Sequence, residues 1–253
     1  MNIPEPLFTG KIIIHLTDTA STNDYAMELI SKTNPSEGTC IRADYQTGGR
    51  GQIGRYWHSE SEKNLLISYI FYPAHLKAED QFILNIISGL AVLDLVAEFL
   101  PGVKIKWPND IYVNNKKIAG ILVQNTLRES FIKSTVIGVG LNVNQMVFPN
   151  EIHNPTSIFK ELSTLTSIET LLPVLSSKLE YYYLLLKKGN TGLLTKLYLS
   201  NLYQINEWAA YKDTEGNLFN GKITSIDDHG KLEMILHSGA IRVFGFREIS
   251  FVI

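Results

Sequence analysis

The alternation of apolar and polar positions predicts strands and helices along most of this 253-residue chain. Apolar runs predict strands over residues 11–16, 39–44, 65–72 and 135–144. Apolar residues at helical spacing predict a helix that begins after Ser21, and further helices over residues 80–100, 167–188 and 193–202. Asp80, Asn85, Asp94 and Glu98 interrupt the 80–100 helix, which indicates a buried amphipathic helix rather than a membrane span.

The C-terminal fifth of the chain has a different pattern. From about residue 205, short apolar runs at residues 218–226, 232–236 and 241–246 alternate with turns at 227–230 and 237–239. Such spacing predicts a small all-β unit of a few strands.

Residues 46–57 form a loop rich in glycine and arginine between two predicted strands, with the sequence Gln-Thr-Gly-Gly-Arg-Gly-Gln-Ile-Gly-Arg-Tyr-Trp. Glycine lets the backbone come close to a ligand and turn several N–H groups toward an anion. Arg50 and Arg55 add charge-assisted donors, so the loop is predicted to bind a polyanion such as a nucleotide phosphate. Residues 49–54 also match the dinucleotide-binding pattern G-x-G-x-x-G. A polar segment and a strand follow instead of the required helix, which excludes that fold.

A hairpin is predicted within residues 103–124, with Asn114-Asn115 as its two-residue turn. This turn pairs Tyr112 with Lys117 and Asp110 with Ala119, and strand alternation places all four side chains on one face. Asp110 and Lys117 become diagonal neighbours at about 7–8 Å between Cβ atoms, within reach of a long side chain.

Polar and glycine positions around this hairpin leave two questions open. Lys116 is expected to be exposed to solvent at the tip of the hairpin. Lys106 lies just before the bend that Pro108-Asn109 introduces. Gly138 and Gly140 stand two apart in a buried-type strand, with Asn142 on the same face, where glycine is costly unless something approaches closely. Either a packed helix or a flat ligand explains them. Likewise, residues 21–23 are suited both to cap a helix and to bind a small polar ligand at its N-terminus.

The composition narrows the function classes. A net charge of −2 argues against general nucleic-acid binding, so the basic loop serves a local anion. Cys40 is the single cysteine, which excludes an intramolecular disulfide, and its apolar strand indicates a buried side chain. Residues 1–10 lack the pattern of a signal peptide, so we expect a cytoplasmic location.

Four separated motifs resemble, in order, those of biotin–protein ligases: Gly49-Arg50-Gly51-x-x-Gly54-Arg55-x-Trp57, Lys106-Trp107-Pro108-Asn109-Asp110, Lys117-Ile118-Ala119-Gly120-Ile121-Leu122 and Gly138-x-Gly140-x-Asn142. The resemblance extends from about residue 10 to the end. It implies an α+β fold, in which a mixed β-sheet flanked by helices forms a class II synthetase-like catalytic domain over residues 1–203. A small C-terminal SH3-like β-barrel would occupy residues 204–253. Because the chain starts at the catalytic domain, it resembles the monofunctional form without a DNA-binding domain.

The resemblance also implies an activity. Such enzymes adenylate biotin with ATP and Mg²⁺ to give biotinyl-5′-AMP, then transfer biotin to a lysine of a biotin carboxyl carrier protein. We therefore expect a cytoplasmic monomer or homodimer that binds neither DNA nor membranes. A lipoate–protein ligase of the same fold and a non-catalytic biotin-binding relative are the alternatives. The presence of Lys117 and Asp110 favours the enzyme.

By motif position the resemblance implies the site residues as well. Its catalytic residues would be Lys117, Asp110 and Arg50. Biotin would be bound by Ser21, Thr22, Asn23, Gln46, Gly49, Arg50, Gly51, Gln52, Lys117, Gly120, Gly138 and Gly140. ATP would be bound by Arg50, Gln52, Arg55, Trp57, Lys106, Asn109, Lys117 and Asn142, and Mg²⁺ would arrive with the ATP phosphates.

Two of these positions carry a specific question. Asp110 would either act on the acceptor lysine, orienting or deprotonating it, or mainly fix Lys117 by a charge pair. Gln52 stands where the family often has an arginine that helps to close the loop over the adenylate. Glutamine keeps the hydrogen-bonding capacity but loses the charge, which puts in doubt how tightly the intermediate is held.

Overall fold

A computed structural model of the protein describes residues 5–52 and 54–252. Residues 1–4 and 253, at the ends of the two predicted domains, lie outside the described residues, as does Ile53 of the glycine-rich loop.

A mixed β-sheet forms the centre of the fold. Its strands within the described ranges are β1 (Ile13–Thr19), β2 (Cys40–Gln46), β3 (Asn64–Phe71), β4 (Lys104–Lys106), β5 (Asp110–Val113), β6 (Lys116–Arg128) and β7 (Phe131–Asn142). They are arranged in the order β1-β2-β3-β7-β6-β5-β4, with β1 parallel to β2 and the other neighbours antiparallel. The predicted strand at residues 11–16 extends further, to Thr19, because its parallel pairing continues to Gln46 of β2.

Helices cover both faces of this sheet. The α-helices of the described chain are α1 (Thr22–Lys32), α2 (Phe82–Val96), α3 (Ile158–Leu162), α4 (Ile168–Lys187) and α5 (Thr191–Ser200). Strand β3 is buried along its whole length, with Leu65 and Ile67 in the larger core beside α2 and Ile70 in the smaller core beneath α1. A continuous apolar run is typical of a strand buried on both faces. The predicted mixed sheet flanked by helices is confirmed.

Helix α2 differs from the amphipathic helix that we expected. Nearly all of its side chains are buried, because α4 and α5 cover the side that faces away from the sheet. Asp94 is tolerated there since its carboxylate accepts a hydrogen bond of 2.7 Å from the Tyr182 hydroxyl. Among the helices described, none is long and apolar enough to cross a membrane.

The β5–β6 hairpin has the predicted turn but a different register. Asn114 and Asn115 adopt left-handed φ angles of 49° and 63°, as a two-residue hairpin turn requires. Next to the turn, Tyr112 pairs with Lys117 as predicted.

Further from the turn a β-bulge shifts the pairing by one residue, so that Asp110 lies opposite Gly120. The predicted pairing of Asp110 with Ala119 is therefore wrong, because a bulge inserts an extra residue into one strand. Ala119 turns into the core, where it is fully buried. Gly120 instead shares the cavity face with Asp110 and Lys117.

The C-terminal part of the chain forms a separate antiparallel sheet. Within the described residues its strands are β8 (Trp208–Asp213), β9 (Leu218–Ile226), β10 (Leu232–Leu236), β11 (Ile241–Phe244) and β12 (Ile249–Phe251), in the order β11-β10-β9-β8-β12. We call it the C-terminal sheet. The predicted small β unit is confirmed, and β8 and β12 add to the predicted strands. The domain boundary between residues 203 and 204 stays a prediction.

The C-terminal sheet packs directly on the bend between β4 and β5. The Trp107 indole donates a hydrogen bond of 2.8 Å to the Gly230 carbonyl, and its ring lies 5.3 Å from that of Phe246. Phe246 in turn stacks on Phe82 at 5.8 Å. Gly230 has a φ of 80°, and a side chain there would overlap the Phe82 ring. Only glycine permits this close contact.

The segment before β1 is attached to α4 by one carboxylate. Glu180 accepts hydrogen bonds from the backbone N–H groups of Leu7, Phe8 and Thr9 at 2.6, 2.9 and 2.8 Å. Burial by itself raises the pKa of Glu180, but these N–H donors outweigh it and hold the pKa below the usual range.

We expect Glu180→Gln to lower the free energy of unfolding at pH 7 by about 1–3 kcal/mol, because the neutral amide loses charge-assisted hydrogen bonds. A lowered folded-state pKa means that the stabilisation is present above the unfolded-state pKa of about 4.3 and is lost as the pH falls through the folded-state value. The difference between variant and wild type should therefore narrow below about pH 4.

Denaturant unfolding between pH 3 and 7 measures this difference. Glu79→Gln is the control, because Glu79 is exposed and forms an ion pair of 3.2 Å with the exposed Lys77. Such a surface pair contributes little. Equal stability of Glu180→Gln and wild type at pH 7 would contradict the attachment described above.

Candidate active site

A cavity of about 390 Å³ opens between the N-terminus of α1, the glycine-rich loop and strands β5–β7. Of the candidate site residues, all except Gly49 and Asn142 line it. The sequence motifs, which are far apart along the chain, are thus brought together in one place.

One end of the cavity is polar and built on the start of α1. The Ser21 side chain caps the helix and Thr22 follows it. The Gln46 side-chain carbonyl accepts hydrogen bonds from the backbone N–H and the hydroxyl of Thr22 at 2.8 and 3.0 Å. Ser68 Oγ lies 2.6 Å from the side-chain oxygen of Asn23. Residues 21–23 therefore cap the helix and line the cavity at the same time.

The glycine-rich loop folds back on itself as a small hairpin. The Trp57 N–H donates to the Gly49 carbonyl at 2.8 Å, and the Gly51 N–H donates to the Arg55 carbonyl at 2.9 Å. This fold places the arginine side chains of the loop at the cavity. Gly49 itself lies behind it, where a side chain would overlap the Trp57 backbone.

Arg50 and Gln52 of the loop each have a protein partner. Arg50 Nε lies 3.0 Å from an Asp24 carboxylate oxygen, in an ion pair that is partly open to solvent. The Gln52 amide donates to the side-chain oxygen of Asn109 at 3.2 Å, and Asn109 donates to the Ile121 carbonyl at 2.6 Å. Gln52 thus ties the loop to the bend after β4.

Lys117 and Asp110 form a half-buried ion pair on the floor of the cavity. Lys117 Nζ lies 2.7 Å from an Asp110 carboxylate oxygen and 5.4 Å from the centre of the Trp57 ring. Lys116 instead points away and pairs with Glu161 at 3.2 Å. The contact between Asp110 and Lys117 that the hairpin predicted is present, even though the register around it differs.

Lys106 adds a further cation beside this pair. Its ammonium donates to the Tyr112 hydroxyl at 3.3 Å. Burial lowers the pKa of Lys106, the Asp110 carboxylate partly opposes this shift, and the Lys117 ammonium lowers the pKa further. The three charged groups therefore influence one another at one end of the cavity.

The glycines of β6 and β7 allow two close approaches. Gly120 pairs with Gly140 across the strands, and a side chain on either would overlap the Trp57 indole. A side chain on Gly138 would overlap the Asn23 side chain at the start of α1. Gly138 is thus explained by helix packing, whereas Gly120 and Gly140 accommodate an aromatic ring, and all three line the cavity.

Asn142 lies near the cavity but does not line it. Its amide donates to the Thr156 carbonyl at 2.9 Å, and its side-chain oxygen is buried without a partner among the residues described. Its predicted contact with adenine stays a prediction.

Some cavity residues were missed by the sequence reasoning. Ile67 and Val139 pair across β3 and β7, and the alternation of those strands could have found them. Glu151, Ile152 and His153 also line the cavity, in a segment without periodic pattern. That segment is placed beside β6 because the Lys117 N–H donates to the Asn154 carbonyl at 2.7 Å, a contact that its sequence does not signal.

In the part of the chain that the structure describes, histidine, cysteine and carboxylate side chains do not gather in groups of three or more that could hold a metal ion.

Comparison with known proteins matches this chain to biotin ligases. It is 36% identical to the bifunctional ligase/repressor BirA of Bacillus spizizenii over 61% of this chain and 48% of that protein. It is 33% identical to the biotin–[acetyl-CoA-carboxylase] ligase of Mycobacterium tuberculosis over 54% of this chain and 50% of that protein. The chain spans about half the length of these curated relatives.

The fold matches as well. The biotin protein ligase of Aquifex aeolicus, solved in complex with biotin and ATP, superposes with a TM-score of 0.79 at 25% identity, over 96% of this chain and 99% of that one. The biotin/lipoate A/B protein ligase family matches residues 16–142, half of the sequence. The chain therefore belongs to the biotin/lipoate A/B protein ligase family.

Proposed function

We propose that this protein is an ATP-dependent biotin–protein ligase. It forms biotinyl-5′-AMP and pyrophosphate from biotin and ATP, then transfers biotin to a lysine of a biotin carboxyl carrier protein. The observation that carries the proposal is the Lys117–Asp110 ion pair, 2.7 Å long, on the floor of a cavity that the glycine-rich loop closes from the other side. Membership of the family supports it, as does the similarity to relatives that are named as biotin ligases.

The first step requires positive charge, because the biotin carboxylate must attack the α-phosphate of ATP. Lys117 is proposed to bridge the two anions, with Arg50 beside them. Lys106, Arg55 and Asn109 would bind the pyrophosphate that leaves, and Mg²⁺ would enter bound to the ATP phosphates as part of the substrate. Preorganised cations stabilise the charge that develops in such a transition state.

The polar and glycine-lined parts of the cavity suit the two ends of the adenylate. The ureido ring of biotin would meet Ser21, Thr22 and Gln46, with the bicycle against Gly120, Gly138 and Gly140. Trp57 and Asn142 would contact adenine. The Trp57 indole rests on Gly120 and Gly140, and its N–H is buried without a partner among the described residues. Biotin would displace the ring from this surface, after which it could stack on adenine.

In the second step the neutral amine of the acceptor lysine attacks the acyl carbon of biotinyl-5′-AMP. The new amide bond forms as the bond to AMP breaks, and the amine loses a proton. Asp110 lies where it could orient that amine, but its carboxylate already contacts Lys117. The ion pair therefore favours a role for Asp110 in holding Lys117.

The proposal is tested by exchange of labelled pyrophosphate into ATP. Wild-type protein should catalyse exchange with biotin and not with lipoate. Exchange with lipoate would identify a lipoate ligase instead. Biotin binding without exchange would identify a non-catalytic biotin-binding relative.

Lys117→Ala should lower biotin-dependent exchange by about 10²-fold or more, since removal of one preorganised donor commonly costs about 10²–10³-fold. The fold should remain intact by circular dichroism. The matched control is Lys116→Ala, which removes only an exposed ion pair with Glu161 and should leave exchange nearly unchanged. Near-normal exchange by Lys117→Ala would refute the proposed role.

Asp110→Asn should impair both steps together, because Lys117 loses the charge that orients it. We expect exchange, and transfer from supplied biotinyl-5′-AMP to a carrier protein, to fall by a similar factor of roughly 10–100 (about 1.4–2.7 kcal/mol). Single-turnover assays measure the two steps separately. Normal adenylate formation with a selective loss of transfer would show that Asp110 acts on the acceptor amine instead.

Gln52→Arg should slow the dissociation of biotinyl-5′-AMP by about tenfold, because a charge-assisted bond to phosphate is worth about 1.5–3 kcal/mol and glutamine recovers only part of it. Arg50 is one residue that could compensate in the wild type, but it is already paired with Asp24. The off-rate is measured by chasing labelled adenylate from each protein. Equal off-rates would mean that the neighbouring arginines compensate.

A further inference from the structure

Two aromatic rings from distant parts of the chain face the Lys106 ammonium group, and a third ring packs against both of them. Its Nζ lies 4.9 Å from the ring centre of Tyr112 on β5 and 4.9 Å from that of Phe251 on β12. Tyr203 lies between these two rings, with its centre 5.6 Å from Tyr112 and 6.1 Å from Phe251. We call Tyr112, Tyr203 and Phe251 the aromatic cage.

The fold brings the cage together by two long-range pairings. The segment after α5 returns beside β4, where the Tyr203 N–H donates to the Ile105 carbonyl at 2.8 Å. Strand β12 pairs with β8, with Phe251 opposite Tyr211, and this carries the Phe251 ring over Lys106. The C-terminal sheet also contacts the next residue, Trp107, as described above. The bend that carries Lys106 is therefore held by the C-terminal sheet on two consecutive residues.

The cage holds a partly buried ammonium group at the edge of the cavity. The face of an aromatic ring attracts an ammonium group, and this attraction is strongest when the group is desolvated. Lys117 contacts the Asp110 carboxylate at 2.7 Å, and Lys106 lies close enough to Asp110 to interact with it electrostatically. Two cations and one carboxylate leave an excess of positive charge at this end of the cavity. In the proposed reaction, this positive charge would favour binding of the pyrophosphate that leaves.

We propose that Phe251 is a positioning residue for Lys106, through which the C-terminal sheet fixes an ammonium group at the phosphate end of the cavity. This inference rests on the proposed adenylation activity. It assigns the C-terminal sheet a part in pyrophosphate binding in addition to any structural part. Phe251 acts here through its ring face, so an aliphatic side chain of similar size does not replace it.

Three variants test this assignment in the pyrophosphate exchange assay. Phe251→Leu keeps an apolar side chain but removes the ring, and should raise the KM for pyrophosphate by about tenfold while the Kd for biotin alone stays within twofold. Phe251→Tyr restores a ring and should return the KM to within about twofold of wild type. Phe219→Leu is the control, since Phe219 packs on Tyr211 and Phe244 of the same sheet. It should leave the KM nearly unchanged.

A double-mutant cycle separates this role from a structural one. If Phe251 acts through Lys106, Phe251→Leu should change the KM by less than twofold in a Lys106→Met background. An equal effect of Phe251→Leu in both backgrounds, or failure of Phe251→Tyr to restore the KM, would overturn the proposal. If wild type catalyses exchange and Phe251→Leu leaves the KM for pyrophosphate unchanged, the positioning role of Phe251 is refuted and the proposed function is not. The absence of biotin-dependent exchange in wild type would refute the proposed function and the cage with it.

Discussion

The ion pair between Lys117 and Asp110 depends on the register of one hairpin, and the rest of the site is arranged around that pair. Bringing two charged groups out of water is costly, and only a close, well-oriented contact offsets the cost. The turn at Asn114-Asn115 sets the position of Lys117, and the bulge in β6 brings Gly120 opposite Asp110. A hairpin without the bulge would place the Ala119 side chain there instead. The cavity floor therefore follows from backbone pairing as much as from the charges themselves.

Two other basic groups of the cavity, Arg50 and Lys106, are each restrained by a different kind of partner. Arg50 is held by Asp24 at the start of α1, and Lys106 lies between the ring of Tyr112 on β5 and that of Phe251 from the C-terminal sheet. Cations that are already oriented require little reorganisation when an anion arrives, which is how such groups contribute to catalysis. Gln52 is tied to Asn109 without a charge. This neutral hydrogen bond anchors the loop to the bend. The Gln52 side chain contributes no positive charge that would attract a phosphate at that position.

Close backbone approach is the second requirement of the site. A side chain at position 138 would collide with Asn23, and the start of α1 could then not lie against the sheet. At Gly120 and Gly140 the space freed by glycine is filled by the Trp57 indole. The same absence of side chains that lets a helix pack at one position leaves a surface for a flat ring at the next. One strand thus accommodates the start of a helix at Gly138 and an aromatic ring at Gly140.

The sequence by itself determined the features that depend on residues close together in the chain. Apolar runs located β9 and β10 with their observed bounds, a two-asparagine turn located the hairpin, and Ser21 was identified as a cap because capping acts within one helical turn. The candidate residues identified from the sequence account for 16 of the 24 described residues that line the cavity. Only the tertiary structure decided three features: the bulge that places Gly120 rather than Ala119 opposite Asp110, the placement of residues 151–153 beside β6, and the contact of Phe251 with Lys106. These features arise from pairing and packing between distant segments, which local periodicity and turn chemistry do not encode.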